Sequence, residues 1–93
     1  MNELTIVIPV YNEAENIKTA IERIEEQVVV PHEIAIVYDR DEDTTVPVVL
    51  AIKDNYQHAI DLVKNKYGRG VLNAVKTGME EATTEFIIVT MAE

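Results

Sequence analysis

Four short polar segments of this 93-residue sequence carry side chains suited to chemistry. They read Tyr-Asn-Glu, Asp-Arg-Asp-Glu-Asp, Tyr-Gly-Arg-Gly and Met-Ala-Glu, at residues 11–13, 39–43, 67–70 and 91–93. Carboxylates accept hydrogen bonds from a nucleoside or hold a divalent cation, and Arg69 is a permanent cation between two glycines. In an acidic protein this combination favours a ligand whose phosphates are reached through a metal ion.

The first segment leaves two interpretations open. Asn12 can cap a helix, with Glu15 completing a capping box three residues later. Alternatively, Glu13 accepts hydrogen bonds from a base or a ribose, with Tyr11 beside it. The glycine signatures GxGxxG and GxxxxGK(S/T) do not occur in the sequence, so dinucleotide-binding and P-loop domains are disfavoured.

The acidic run at 39–43 alternates its carboxylates as a calcium-binding EF-hand loop does. However, Thr44 stands where that loop needs glycine, and Leu50 stands where it needs glutamate, so an EF-hand is excluded. A solvated acidic turn, with Asp43 or Thr45 capping the next helix, remains open.

A phosphatase interpretation of the same run also remains open. Residues 41–45 match the DxDxT spelling of haloacid-dehalogenase-type phosphatases, and Thr90 can imitate their second motif. Against it, that family places its nucleophile at the end of the strand, and Asp39 rather than Asp41 occupies that position here.

Small residues recur at every fourth position in the third polar region and beyond it. Gly70, Ala74 and Gly78 would form a stripe along a helix, which predicts close packing of that helix on a sheet. Arg69 precedes this helix, and a base, a phosphate or a structural carboxylate are its three candidate partners.

The elements that must position these segments alternate between strand-like and helix-like patterns. The order βαβαβαβ predicts an α/β fold with a parallel sheet and right-handed crossovers. All four polar segments would then lie at the carboxyl edge of the sheet, where such folds bind ligands. The predicted strands are Leu4–Val10, Glu33–Tyr38, Ala59–Val63 and Phe86–Thr90, and the predicted helices are Ala14–Gln27, Val46–Asn55 and a third that ends near Ala82.

Composition narrows the classes of protein further. A net charge of -9 disfavours nucleic acid and anionic membranes as partners, and the absence of cysteine excludes disulfides and thiolate metal sites. No signal peptide or membrane span is visible, so a cytoplasmic location is expected. His32 and His58 lie beside proline and glutamine, and we expect both at the surface, away from the ligand edge.

Taken together, the segments resemble the N-terminal half of a family 2 glycosyltransferase, in the branch of dolichol-phosphate mannosyltransferase-like enzymes. TIVIPVYNEAENI (5–17) is close to the family's opening, and EIAIVYDRDEDTT (33–45) is similar to its EIIVVDDGSTDGT segment. Residues 68–93 resemble its glycine-containing helix, the following strand and the metal-binding DxD turn. The resemblance implies a Rossmann-like GT-A fold with the strand order 3-2-1-4.

The resemblance also implies roles for individual residues. Tyr38 departs from the family by replacing the first aspartate after the second strand, and Asp41 stands where serine is usual. Asp39 matches the second aspartate and would hold the base or ribose. The implied nucleotide-binding residues are Pro9, Tyr11, Glu13, Asp39, Asp41 and Arg69.

A divalent cation, Mn²⁺ or Mg²⁺, is the cofactor that the resemblance implies. Met91 departs from the family because it stands where the first aspartate of the metal turn is expected. Glu93 is the remaining candidate ligand.

The implied function is sugar transfer from a nucleotide-diphospho-sugar, with residues 1–93 as the donor-binding half of the catalytic domain. We expect weak nucleotide binding and no sugar transfer by this chain alone, since the acceptor half would supply any general base. We also expect a homodimer through the strand Phe86–Thr90, which would be an unprotected sheet edge. The alternatives are a phosphatase using Asp41 and Asp43, or a non-catalytic acidic α/β binding module.

Overall fold

A computed structural model describes residues 2–92 and shows strands and helices in the predicted alternation. The predicted third strand is present. Within the described residues, none of the helices is long and apolar enough to cross a membrane. In chain order the elements are β1 Leu4–Pro9, α1 Ile17–Gln27, β2 His32–Tyr38, α2 Thr45–Ile52, a 3-10 helix Lys53–Asn55, β3 Ile60–Lys64, α3 Val71–Glu81 and β4 Phe86–Val89.

The strands form one parallel sheet in the order β3-β2-β1-β4, which confirms the predicted fold and strand order. Every residue of β1 is buried, as expected for a mostly apolar strand covered on both faces. The chain runs outward from β1 through β2 to β3 and then returns to the other side of β1. The strand order therefore reverses between β1 and β4.

Helices cover both faces of this sheet. On one face α1 buries Ile17, Ile21 and Ile24, which recur every three or four residues, and α2 packs beside it. On the other face Ala74 of α3 packs in a smaller cluster with Val7 of β1.

The small residues of α3 let this helix lie close to β1. A Cβ atom built on Gly78 would lie 2.6 Å from Cγ1 of Val7, which is closer than real Cβ contacts. Ala74, one turn earlier, is also buried. The predicted packing role is confirmed for Ala74 and Gly78.

The predicted capping box of Asn12 and Glu15 is wrong. Helix α1 begins only at Ile17, and its N-cap residue Asn16 makes no side-chain capping bond to any described residue. Asn12 instead has a left-handed backbone with φ of 51°, and its side-chain oxygen accepts a hydrogen bond from the N–H of Thr44. The side chain that would have capped α1 thus holds the loop after β2.

The prediction of two surface histidines is wrong for His32, which is 0% exposed at the start of β2. His58 is half-buried just before β3, and the two rings stack with their centroids 3.8 Å apart. Glu25 of α1 lies against both rings. The burial arises because α1 folds over the amino ends of these strands, which polar neighbours in the sequence do not reveal.

Candidate functional site

A cavity of about 210 Å³ opens where the chain leaves the carboxyl ends of β1, β2 and β4. The strand order reverses between β1 and β4, and open α/β sheets bind ligands at such a reversal. Five of the six predicted nucleotide-binding residues line this cavity: Pro9, Tyr11, Glu13, Asp39 and Arg69. The remaining lining residues are Val10, Gly70, Val71, Ala74 and Met91.

The loops that follow β1 and β2 are hydrogen-bonded to each other beside the cavity. The N–H of Asn12 donates to Oδ2 of Asp43 at 3.0 Å, and the N–H of Glu13 donates to Oγ1 of Thr45 at 2.8 Å. Oδ1 of Asp43 accepts from the N–H of Thr45 at 2.8 Å. Both Asp43 and Thr45 are buried, so these contacts fix the backbone that carries Tyr11 and Glu13.

Tyr11 and Arg69 form the exposed rim of the cavity. Tyr11 is 57% exposed, and Cζ of Arg69 lies 5.6 Å from the centroid of its ring, within cation–π range. The loop that carries Arg69 has positive φ at Gly68 (92°) and Gly70 (121°), which glycine adopts without strain. The ion pairs found within residues 2–92 do not involve Arg69, so its charge is available to an anionic ligand.

Asp39 is held by a hydrogen-bond chain that runs to α3. Its Oδ1 accepts from Nδ2 of Asn65 at 2.8 Å. Oδ1 of Asn65 in turn accepts from Oγ1 of the buried Thr77 at 3.0 Å and from the N–H of Tyr67 at 3.1 Å. Sequence reasoning missed Asn65 and Thr77. The available signal was that Asn65 directly follows β3 at the ligand edge.

Asp41 is the one predicted nucleotide-binding residue that does not line the cavity. Its Oδ1 lies 3.1 Å from Nζ of Lys64, and this hydrogen bond raises the pKa of Lys64. Asp43, the other carboxylate of the phosphatase interpretation, is buried and accepts bonds from the backbones of Asn12 and Thr45. Because the two aspartates do not form a pair at the cavity, the phosphatase interpretation is not supported.

The described lining residues fit Mn²⁺ or Mg²⁺ poorly. Met91 lines the cavity, and a thioether is a poor ligand for these hard ions. Glu13 and Asp39 are the carboxylates of the described lining, and each already accepts a hydrogen bond from an asparagine side chain. Glu93, the predicted metal ligand, lies outside the described residues. The described part of the cavity therefore offers no suitable set of ligands for such an ion.

The sequence matches a known protein family and a protein from Escherichia coli. The model of the family described as Glycosyl transferase family 2 matches residues 5–91. The uncharacterized glycosyltransferase YibD of Escherichia coli (strain K12) is 30% identical over 86 residues, which cover 92% of this chain and 24% of YibD. The sequence-based resemblance to this family is confirmed.

Solved structures agree with the sequence match. The mannosyltransferase PcManGT from Pyrobaculum calidifontis, solved in complex with GDP-Man and Mn²⁺, superposes with a TM-score of 0.85 at 29% identity. The alignment covers 97% of this chain and 27% of PcManGT. TarS of S. aureus (residues 1–349) has a TM-score of 0.80 at 16% identity, which supports the fold alone, and the alignment covers 97% of this chain and 27% of TarS.

This chain spans about a quarter of the length of the proteins that it matches. The shared region contains the whole four-stranded sheet and its carboxyl edge. Since the family match extends over residues 5–91, the chain belongs to Glycosyl transferase family 2.

Proposed function

We propose that residues 1–93 are the nucleotide-sugar-binding half of a glycosyltransferase catalytic domain. The observation that carries this proposal is the cavity at the strand-order reversal, which gathers Pro9, Tyr11, Glu13, Asp39 and Arg69. Its support is the family match, together with the likeness to PcManGT, a protein solved with GDP-Man and Mn²⁺.

Each of these five lining residues has a binding role that its chemistry allows. The carboxylate of Asp39 would accept a hydrogen bond from a base N–H or a ribose O–H, and Glu13 would accept from the ribose. Tyr11 would pack against the nucleoside with its exposed ring, beside Pro9. Arg69 would contact a phosphate oxygen while its guanidinium remains over that ring.

For the longer protein we propose transfer of the sugar to an acceptor hydroxyl. The acceptor hydroxyl gives its proton to a general base, which we expect the acceptor half to supply, and its oxygen bonds to the anomeric carbon. The bond from that carbon to the diphosphate oxygen breaks, and the nucleoside diphosphate leaves. A cavity of about 210 Å³ is smaller than the roughly 300–1,000 Å³ of a typical ligand pocket. We therefore expect this chain alone to bind nucleotide weakly. We also expect it to transfer no sugar, because the general base is expected from the acceptor half.

Calorimetric titration of the chain with GDP, UDP and GDP-mannose tests the binding role. Asp39→Asn should raise Kd about tenfold or more, because losing a hydrogen bond to a charged group costs about 1.5–3 kcal/mol. Tyr11→Ala should also weaken binding. Asp54→Asn, at an exposed position in the 3-10 helix, is the matched control. The proposal fails if none of the nucleotides binds, or if Asp39→Asn and Asp54→Asn bind equally.

We also propose that Asp41 contributes to nucleotide binding. Asp41→Asn measures whether a carboxylate outside the cavity contributes to nucleotide affinity, and from its bond to Lys64 we expect a change smaller than that of Asp39→Asn.

A divalent cation, Mn²⁺ or Mg²⁺, stays a proposal for assisting nucleotide binding. Because the described lining fits such an ion poorly, the proposal depends on Glu93, outside the described residues, as a ligand. Met91→Asp tests whether a cation completed by Glu93 can reach the nucleotide, because it replaces a thioether at the cavity with the oxygen ligand that hard cations prefer, and adding Glu93→Gln to this variant should remove the gain. We expect the variant to bind GDP several-fold more tightly when Mn²⁺ is added. Met91→Leu is the control, and equal responses of both variants to Mn²⁺ would contradict the proposal.

We propose that the 93-residue chain forms a homodimer through β4. The strand lies at the end of the sheet formed by the described residues, and Phe86 and Ile88 are 61% and 52% exposed. An apolar strand edge without lysine or proline is a template for pairing with a second chain.

The cytoplasmic location also stays a proposal. The apolar segments of the described residues are short, with strands of four to seven residues. Fractionation of cells that express the full-length protein would test it, and recovery in an extracellular or lumenal fraction would contradict it.

A further inference from the structure

A second cluster of functional groups lies at the amino edge of the sheet, away from the cavity. Glu25 comes from α1, His32 begins β2, and His58 lies just before β3. Each residue offers one ligand atom, and these atoms lie within 4.8 Å of one another. Nδ1 of His58 is 2.7 Å from Oε2 of Glu25, and Nε2 of His32 is 3.4 Å from Oε1 of the same carboxylate.

The hydrogen bonds of His32 define which of its nitrogens carries a proton. Nδ1 lies 2.8 Å from the carbonyl oxygen of Val30, and because a carbonyl only accepts, Nδ1 must be the donor. Nε2 of the neutral ring is then a bare acceptor, and it faces Oε1 of Glu25, a second acceptor. Both atoms are buried and lack a hydrogen-bond partner among the described residues. Such an arrangement is costly unless positive charge lies between them.

A proton and a metal ion are the two candidates for that charge. The distance between His32 and Glu25 favours the metal, whereas the 2.7 Å contact between His58 and Glu25 is that of a hydrogen bond. A charged imidazolium would hold the carboxylate at about 2.7–2.9 Å, whereas His32 stands 3.4 Å away. Two atoms bound tetrahedrally to one Zn²⁺ at about 2.0–2.1 Å are roughly 3.3 Å apart. The backbone bond to Nδ1 is also the support that metal-binding histidines commonly have.

We propose that Glu25, His32 and His58 form a site for a divalent transition-metal ion of the Zn²⁺ class. Nε2 of His32, Nδ1 of His58 and the Glu25 carboxylate are the three protein ligands, and water takes the fourth position. Imidazole suits Zn²⁺, Co²⁺, Ni²⁺ and Cu²⁺, whereas Mg²⁺ and Mn²⁺ prefer oxygen ligands.

Metal binding requires His58 to rearrange in two ways. Its ring must turn out of the stack with His32, because an imidazole nitrogen binds a metal in the plane of its ring and the two planes now lie within 20° of each other with centroids 3.8 Å apart. Its proton must also change nitrogen, which supplies a specific signature. Nδ1 of His58 now donates to the carboxylate, which can only accept when ionised. To bind the metal, the proton of His58 moves from Nδ1 to Nε2, and the contact of 2.7 Å lengthens by about half an ångström towards the spacing of two zinc ligands. His32 keeps its proton on Nδ1. The metal would link α1 to the first residues of β2 and to the loop before β3, which is a structural role.

The experiment uses the 93-residue chain without added histidines, treated with a chelator and then titrated with ZnCl₂ by calorimetry. We expect one ion per chain and a change of tautomer at His58, but not at His32, in nitrogen-15 NMR of the imidazoles. Co²⁺ should give visible absorption typical of a tetrahedral site. At a hundredfold excess of zinc over Kd, the thermal midpoint should rise by roughly 10–20 °C.

Variants identify the ligands. Glu25→Gln and His58→Gln should each weaken zinc binding at least tenfold, whereas Glu26→Gln, an exposed neighbour on α1, should not. His32 is left unchanged, because a substitution at this fully buried residue can prevent folding, whereas His58 is half-buried. The proposal is overturned if zinc does not bind, if Glu25→Gln and His58→Gln bind zinc like the parent, or if Mg²⁺ binds as tightly as Zn²⁺. It is also overturned if His32 carries protons on both nitrogens when saturating zinc is present.

Discussion

At the scale of single residues, the geometry of the proposed nucleotide site depends on side chains that do not line it. Asp39 borders the cavity, but Asn65 orients its carboxylate and is itself held by Thr77 of α3. A fixed carboxylate loses less freedom when a ligand binds, so such support raises affinity. Asn65 therefore acts as a positioning residue rather than as a contact.

Asn65→Ala should raise the Kd for GDP roughly threefold to tenfold, because Asp39 would lose its orientation while its charge stays. The free energy of unfolding should fall by about 1–2 kcal/mol, since Thr77 and the N–H of Tyr67 would lose their acceptor. Calorimetry well below the thermal midpoint separates the two effects. Asn55→Ala, at an exposed position, is the control. An unchanged Kd in Asn65→Ala would show that Asn65 only stabilises the loop.

At the scale of elements, the sequence predicted the strands well and the contacts between loops badly. β-Branched runs located the strands to within about one residue, as with Phe86–Thr90 against the observed Phe86–Val89. Their order followed from the family resemblance. The helix start at Ile17 was missed because the side chain of Asn12 bonds to Thr44, 32 residues away. The hydrophobic periodicity of a short segment does not report a hydrogen bond to a residue so distant in the sequence.

The same limit explains why the burial of the histidines was missed and why one predicted site residue lies outside the cavity. The burial of His32 and its stacking on His58 depend on how α1 crosses the strand ends, which local composition does not report. The residues of the cavity were predictable because parallel strands must bring their carboxyl ends together. This rule applies only to residues close to the end of a strand. Asp41 lies two residues beyond Asp39, and it bonds to Lys64 instead of lining the cavity.

The packing of α3 on β1 gives the prediction at this scale. Gly78→Ala should lower the free energy of unfolding by about 1–3 kcal/mol, because the new Cβ would lie 2.6 Å from Cγ1 of the fully buried Val7. This loss opposes a gain of about 1 kcal/mol in helix propensity. Urea unfolding measures the change. Leu72→Ala, on the exposed side of the same helix, should stay within about 0.5 kcal/mol.

A double variant checks the cause of that loss. In Val7→Ala the space for the added methyl group is available, so Gly78→Ala should cost less in that background than in the parent chain. Equal costs in both backgrounds would mean that the contact with Val7 is not the source of the destabilisation.

At the scale of the whole molecule, the described residues bury the centre of the sheet better than its β4 end. β1 is buried throughout, whereas β4 exposes apolar side chains along its length. A chain of this size buries only about 60–65% of the surface that its unfolded form exposes, so some apolar surface must remain. Part of that surface, at Phe86, Ile88 and Val89, lies on a strand whose outer edge pairs with no other described strand, which favours pairing with a second chain.

The proposed dimer can be tested by removing one backbone hydrogen-bond donor from the open edge of β4. The N–H groups of Phe86 and Thr90 donate to Glu3 and Val7 of the β1 side, and since backbone groups alternate along a strand, the N–H of Val89 points to the open edge. Val89→Pro removes that donor without removing a bond to β1, and proline is tolerated on edge strands. We expect the parent chain to sediment as a dimer at high concentration and Val89→Pro to sediment as a monomer.

Val89→Ala is the matched control, because it shortens the side chain but keeps the N–H. If edge pairing holds the dimer together, the alanine variant dimerises and the proline variant does not. If apolar contact of the side chains dominates, both variants lose the dimer to a similar extent. A parent chain that stays monomeric at high concentration would contradict the homodimer itself, whereas equal behaviour of the two variants would contradict pairing through the backbone of β4.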